Sequence, residues 1–268
     1  MNSADRLLGI LRLFSVDKPV WTVEETARAI DVSVSQTYRY INSLVKACML
    51  ESVAGGGFVL GSAFVEYDRQ IRLCDPMLRA ARPIMLELAR AAPDTATVLL
   101  CRRYHDRVMC VHQEVGRAPQ AAVGYERGRP MPILRGAASK AILAHLTVRM
   151  LRSIYAEHRN ETAAAGLGAD WPEFRAALSV IRRQGHAETF AEIDAGRVGL
   201  AVPIFEGRAG VIGSLGFALS EEGVDDNLLR HLAAVAAIAA RNIETSMEDA
   251  AANDIMPGPA MARFAAAS

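Results

Sequence analysis

Thr22-Val23-Glu24-Glu25-Thr26-Ala27-Arg28-Ala29-Ile30-Asp31-Val32-Ser33-Val34-Ser35-Gln36 opens two helices in quick succession. Thr22 with Glu25 and Ser33 with Gln36 both fit the S/T-x-x-E/Q capping box, in which side chain and backbone satisfy each other's unpaired N–H groups. Two starts eleven residues apart leave room for a short helix, a tight turn and a second helix, the spacing of a helix-turn-helix. The second helix, about Val34–Cys48, has an apolar stripe of Ile41, Leu44, Val45 and Cys48 to pack on Ala27 and Ile30. Its other face carries Ser33 at the start, then Ser35, Gln36, Tyr38, Arg39, Asn42 and Lys46, with no carboxylate among them. Those side chains suit base edges and phosphates, so these seven are the expected DNA-binding residues. An ordinary helical pair with a solvated polar face is the competing reading.

Downstream, Leu50-Glu51-Ser52-Val53 and Phe58-Val59-Leu60-Gly61 flank Gly55-Gly56-Gly57, which reads as a β-hairpin, the wing of a winged helix-turn-helix. Upstream, Asp5–Phe14 is an amphipathic helix with Leu7, Leu8, Leu11 and Phe14 in one stripe, closed off by Pro19 and Trp21.

The chain has 268 residues, room for two domains and a substantial core. Lys+Arg and Asp+Glu each number 30, so no global basic field announces a nucleic-acid partner. Residues 1–61 also balance: Arg6, Arg12, Lys18, Arg28, Arg39 and Lys46 against Asp5, Asp17, Glu24, Glu25, Asp31 and Glu51. Strong non-specific binding by a monomer is therefore not expected, and specific binding by a dimer is. Apolar runs such as Leu232–Ala240 are far short of a membrane span and no signal peptide is seen, so a cytoplasmic protein is expected. Four scattered cysteines without CxxC spacing argue against a disulfide framework and a zinc site, and no cofactor is called for.

The expected layout is a DNA-binding domain over 1–61, a linker helix over 62–76, an effector domain over 77–248 and a disordered tail over 249–268. Ala63–Leu73 reads as a helix, either with its aromatics packed in the core and its arginines solvated or as a linker helix that mediates dimerisation, and Asp75-Pro76 as a joint. Met77–Ala92 is helical, with Pro83 near its start or at a kink. Strands are expected at Thr95–Leu100, Val108–Val111, about 187–193, 199–206 and 211–218. A Gly/Pro-rich loop covers 116–135. Helices are expected at Gly136–Leu146, Val148–His158, Trp171–Gln184 (ended by Gly185) and Asp225–Met247. The sum is α+β: an antiparallel sheet flanked by helices.

In this order the landmarks resemble the IclR family of bacterial transcriptional regulators over 5–247. They are the helix-turn-helix with Ser35 and Arg39, the wing closing on Leu60-Gly61, Ala81-Arg82-Pro83-Ile84, Ala138-Ser139-Lys140-Ala141, and Glu192-Ile193-Asp194-Ala195-Gly196 leading to Gly199-Leu200-Ala201-Val202-Pro203-Ile204. The resemblance implies a winged helix-turn-helix joined by a helix to a GAF-like effector domain, working as homodimers or homotetramers on a near-palindromic operator. It also implies a ligand-responsive regulator of a catabolic operon, with effector-binding positions at Met131, Ala137, Ala138, Gly199, Gly216 and Ala218. The chain departs from the family pattern at Asp31 in the turn, Ser139 in the A-G-K segment, Phe190 at a commonly acidic position, and Gly216 and Ala218 where some members carry hydroxyls. Those last two losses leave more room, with Met131 and Phe190 as apolar walls. An aromatic or bulky carboxylate is therefore expected over glyoxylate or pyruvate, held at the start of the Gly136-Ala137-Ala138 helix, with Arg135 as a candidate to pair with the acid.

Enzyme motifs are missing: the six histidines show no HExxH spacing, and neither G-x-S-x-G nor a P-loop occurs. Cys101, Cys110 and His112 are the nearest thing to a reactive cluster, with Cys110 and His112 expected on one strand face and Cys101 opposite. A Cys-based redox sensor or enzyme is the alternative they raise, against small core-filling residues.

Overall fold

The computed structural model describes residues 2–118 and 124–255, and the chain divides into two compact units, 1–75 and 76–268. In the first, α1 (Ser3–Leu11) leads to β1 (Trp21–Thr22), α2 (Val23–Ile30), α3 (Val34–Lys46), β2 (Leu50–Val53), β3 (Gly57–Leu60) and α4 (Ala63–Cys74). The wing is a three-stranded sheet in the order β1-β3-β2, because Trp21 and Thr22 pair with Phe58 and Gly57. A two-residue strand carries no periodicity of its own, so β1 was not expected. Ile10, Tyr40, Ile41, Leu44 and Leu50 form the core, with Leu7, Leu11, Phe14, Ile30 and Phe58 packed against it.

Local chemistry explains most of this unit. Thr22 forms the full capping box: its hydroxyl accepts from Glu25 N and Glu25 accepts from Thr22 N. At the second start only half the box forms, since Ser33 accepts from Gln36 N but the Gln36 side chain turns to Tyr40. Asp31 ends α2 in the left-handed region (φ 52, ψ 58), a conformation that a short polar side chain tolerates. Two expectations need correcting. Helix α1 stops at Leu11, with Leu8 exposed and Ile10 at the centre of the core. Helix α3 stops at Lys46, and Cys48 lies beyond it, exposed, with φ 55, so it takes no part in the apolar stripe. Val65, Tyr67, Ile71 and Leu73 are exposed along α4.

The second unit runs α5 (Pro76–Ala91), β4 (Thr97–Tyr104), β5 (Arg107–Val115), β6 (Pro130–Pro132), α6 (Ala137–Leu143), α7 (Val148–His158), α8 (Trp171–Gln184), β7 (Ala187–Phe190), β8 (Arg197–Glu206), β9 (Gly210–Ser220) and α9 (Asp226–Ile255). Its six strands lie in the order β6-β5-β4-β9-β8-β7, every neighbour antiparallel. Pro83 sits inside α5 rather than at its start. Helix α9 continues past Met247 to Ile255, so residues 249–255 of the expected tail are helical, and 256–268 lie outside the described residues.

Strand alternation sends different side chains to the two faces of this sheet. Val98, Leu100, Val198, Leu200, Val202, Leu215 and Phe217 pack on α5 and α9. The opposite face, under α6, α7 and α8, is lined by Leu99, Cys101, Ala187, Ala201 and Ala218. Large residues thus fill one side, while small ones under α6 leave space.

Candidate functional site

The exposed face of α3 carries Ser35, Tyr38, Arg39, Asn42 and Lys46, with Ser33 at its cap. Tyr38 is 58% exposed, a large aromatic that the core does not need. The arrangement offers hydroxyls, an amide, a guanidinium and an ammonium along one helix, the donors that major-groove edges and phosphates accept from. Gln36 stands apart from this group. It is half-buried and donates from Nε2 to Tyr40 Oη at 2.6 Å.

In the second unit a small cavity of about 40 Å³, or about 430 Å³ when the solvent space at its mouth is included, lies between α6 and the small-residue face of the sheet. Ala137, Ala138, Gly199, Gly216 and Ala218 line it, as expected, together with Leu99, Tyr125, Thr189, Glu192, Ile193, Asp194 and Arg197, which the sequence reading did not single out as a site. Three expected residues are elsewhere. Met131 is buried where β6 meets β5, paired with Val108. Arg135 is exposed, and only its carbonyl, accepting from Tyr125 Oη, touches the site. Phe190 is 55% exposed, because alternation along β7 turns it outward and its neighbour Thr189 inward. Parity counted from buried Ala187 is the signal that would have found Thr189.

The start of α6 is already occupied by a carboxylate. Glu192 accepts from Gly136 N at 2.9 Å and from Lys140 Nζ at 2.5 Å, while Lys140 also donates to Ala165 O. Gly136 (φ 82) must be glycine, since a Cβ would run into Tyr125 Oη. The expected anion seat on backbone N–H groups is thus filled from within the chain, across 56 residues of sequence. Asp194 is held in the same way, accepting from Gly124 N at 2.6 Å. Burial pushes the Tyr125 phenol up, and its hydroxyl is shared with Ser139.

Gly216 also corrects an expectation. A Cβ there would collide with Leu200 O and come within 2.7 Å of Ala201 Cβ, so the glycine serves close strand packing and opens no room for a larger ligand. At Gly199 a Cβ would lie 2.8 Å from Thr189 Oγ1 and 3.2 Å from Ala137 Cβ, so here the missing side chain does keep a slot open beside a hydroxyl. Thr189 is 5% exposed, and its hydroxyl has no protein partner among the described residues.

Cys101 and Cys110 are directly opposed on β4 and β5, both fully buried. His112 does not share their face: the register shifts between Leu100 and Cys101, pairing His112 with Leu100. This bulge reverses the parity that sequence counting assumes. A hydrogen bond with Cys110, then burial, raises the Cys101 thiol well above the ordinary range, the opposite of what a nucleophilic thiolate needs. Among the described residues no group of three or more His, Cys, Asp or Glu could hold a metal ion, and no helix is long and apolar enough to cross a membrane.

Residues 3–53 match the model of the IclR helix-turn-helix domain, and residues 75–245 that of the bacterial transcriptional regulator IclR C-terminal domain. Among curated relatives, the HTH-type transcriptional regulator KipR of Bacillus subtilis is 23% identical over 226 residues, covering 84% of this chain and 88% of the relative. XynR of Escherichia coli, another HTH-type transcriptional regulator, is 25% identical over 232 residues, covering 84% and 89%. Among solved structures, an IclR-type regulator from Silicibacter sp. TM1040 superposes with a TM-score of 0.76 at 20% identity, covering 92% of this chain and 96% of that one. An IclR homologue from Microbacterium hydrocarbonoxydans, solved with 4-hydroxybenzoate, superposes with a TM-score of 0.70 at 19% identity, covering 92% and 100%. With both domain models matched in order, and a polar recognition face on α3, the chain belongs to the IclR family: it is a DNA-binding transcriptional regulator and not an enzyme.

Proposed function

We propose that this regulator is ligand-responsive, controls a catabolic operon, and binds a small aromatic or otherwise bulky carboxylate between α6 and the small-residue face of the sheet. The observation that carries the reading is the cavity itself: apolar walls from Leu99, Ala137, Ala138, Ile193 and Ala218, with the hydroxyl of Thr189 beside the Gly199 slot. Pockets of this kind hold ligands by apolar burial and orient them with few polar groups. Because Glu192 takes the Gly136 N–H, the ligand's acid is expected away from the start of α6, with its ring against the apolar walls. The 4-hydroxybenzoate bound by the Microbacterium homologue is a ligand of this class.

The DNA-bearing form is a homodimer, or a tetramer built from it, on a near-palindromic operator. The charge balance of residues 1–61 favours two copies over one, and the exposed Val65, Tyr67, Ile71 and Leu73 of α4 supply an apolar contact. Calorimetry against benzoate-type acids and short oxo-acids tests the ligand, with Ala138→Trp as the blocked cavity. Micromolar binding of an aromatic acid that Ala138→Trp abolishes is the expected result. Preference for a short oxo-acid, or aromatic binding indifferent to the tryptophan, would remove the reading. Gel shifts with the same acids then report whether the bound acid changes operator affinity.

A further inference from the structure

Tyr40 is 8% exposed, and its hydroxyl is the meeting point of two helices. Ser3 Oγ, in the first turn of α1, lies 2.9 Å from Tyr40 Oη, and Gln36 Nε2, in the first turn of α3, donates to it at 2.6 Å. Gln36 donates to the phenol oxygen, and between Tyr40 and Ser3 either hydroxyl can be the donor, giving a chain Gln36–Tyr40–Ser3. Gln36 and Tyr40 are one helical turn apart, so the link clamps the N-terminal end of α3, where Ser35, Tyr38 and Arg39 are exposed. The same link withdraws the Gln36 amide from the capping box that the sequence motif anticipates.

We propose that Gln36 reads no base: it is a positioning residue that acts through Tyr40 to hold the DNA-reading end of α3 against α1. A bidentate adenine contact needs both the carbonyl and the N–H₂ of a glutamine aimed at one base edge. An amide committed at 2.6 Å to a phenol anchored in the core is held off that edge. What the link does supply is placement, since neighbouring side chains must arrive within a few tenths of an ångström for their hydrogen bonds to form.

The test uses the full chain and a duplex that the wild-type protein selects from a random-sequence pool, with a scrambled duplex as reference. Gln36→Met, Tyr40→Phe, the double variant and Ser3→Ala are titrated on both duplexes. Gln36→Met and Tyr40→Phe are each expected to weaken binding to the selected duplex by about tenfold, the effect of a lost hydrogen bond. Scrambled-duplex affinity stays as in wild type, and the double variant loses no more than the larger single loss. Ser3→Ala moves the same way, and because Ser3 is exposed it guards against a core defect in Tyr40→Phe. A new selection with Gln36→Met should return the same base preferences. The proposal is overturned if that selection shows relaxed preference at one base pair, if the two losses multiply, or if Tyr40→Phe binds the selected duplex like wild type.

Discussion

On α3 the groups we propose for DNA contact are those the core leaves over: Ser35, Tyr38, Arg39, Asn42 and Lys46 are exposed on a helix whose other side is buried through Ile41 and Leu44. In the second unit the groups around the cavity are set by what approaches from elsewhere. Glu192 reaches Lys140 from another segment, Thr189 faces Gly199 across a strand pair, and the Leu200 carbonyl forbids a side chain at Gly216. The first surface is open, so changing its side chains alters binding and leaves the fold standing. The second is enclosed, so volume and function are coupled there, and a single methyl group is felt.

The sharpest way to break that contrast is volume in the second unit. Gly216→Val should cost about 3 kcal/mol through forced displacement of β8. A denaturant titration following Trp171 in a Trp21→Phe background would report it, since the two tryptophans lie one in each unit. A wild-type midpoint would show that β8 and β9 yield more easily than their packing implies. Next comes Arg39→Ala, expected to weaken operator binding by about 2 kcal/mol per half-site with an unchanged melting curve. Loss of folding with that change would mean that α3's exposed face is structural after all.

Smaller effects refine the picture within the first unit. Thr22→Ala removes a capping hydroxyl and should destabilise this unit by about 1 kcal/mol, measured by circular dichroism on thermal unfolding. The weakest is a pH effect at Glu25. The backbone N–H of Thr22, then Lys18, holds its carboxyl at about 2 instead of the ordinary 4.5. Its folded-state pKa is depressed, so the stabilisation is fully present above about 4.5 and drains away as pH falls toward about 2. Glu25→Gln should flatten that part of the acid titration, and an unchanged titration would mean that the box contributes nothing measurable through charge.

How far the residues alone could be read follows the same division. The Thr22/Glu25 box, the left-handed turn at Asp31, the hairpin turn at Gly55-Gly56 and the end of α8 at Gly185 all depend on atoms within four residues of each other, so the sequence states them outright. The Ser33/Gln36 motif is a local rule that held only by half: Ser33 caps α3, but Tyr40 competes for the Gln36 amide from one turn away and brings α1 with it. In the second unit helices and strands were legible from periodicity except β6, which falls in the expected 116–135 loop, and Ala137, Ala138, Gly199, Gly216 and Ala218, the positions the family resemblance implied, do line one cavity. Which side chains face the cavity was decided later in the hierarchy. Phe190 points away because β7 takes its parity from Ala187, and His112 leaves the Cys110 face because a bulge inserts one residue into β5.

By itself, then, the sequence determined the helix-turn-helix, the β2–β3 hairpin of the wing and the α+β order of most elements, since capping and hydrophobic period act along the chain. Only the tertiary structure decided that Glu192 rather than a ligand sits on Gly136, that Lys140 is buried against it, and that Gly216 is filled by a neighbouring strand. Those contacts join residues some 16 to 56 positions apart. Their geometry exists only once register, twist and packing have fixed which backbone passes close to which.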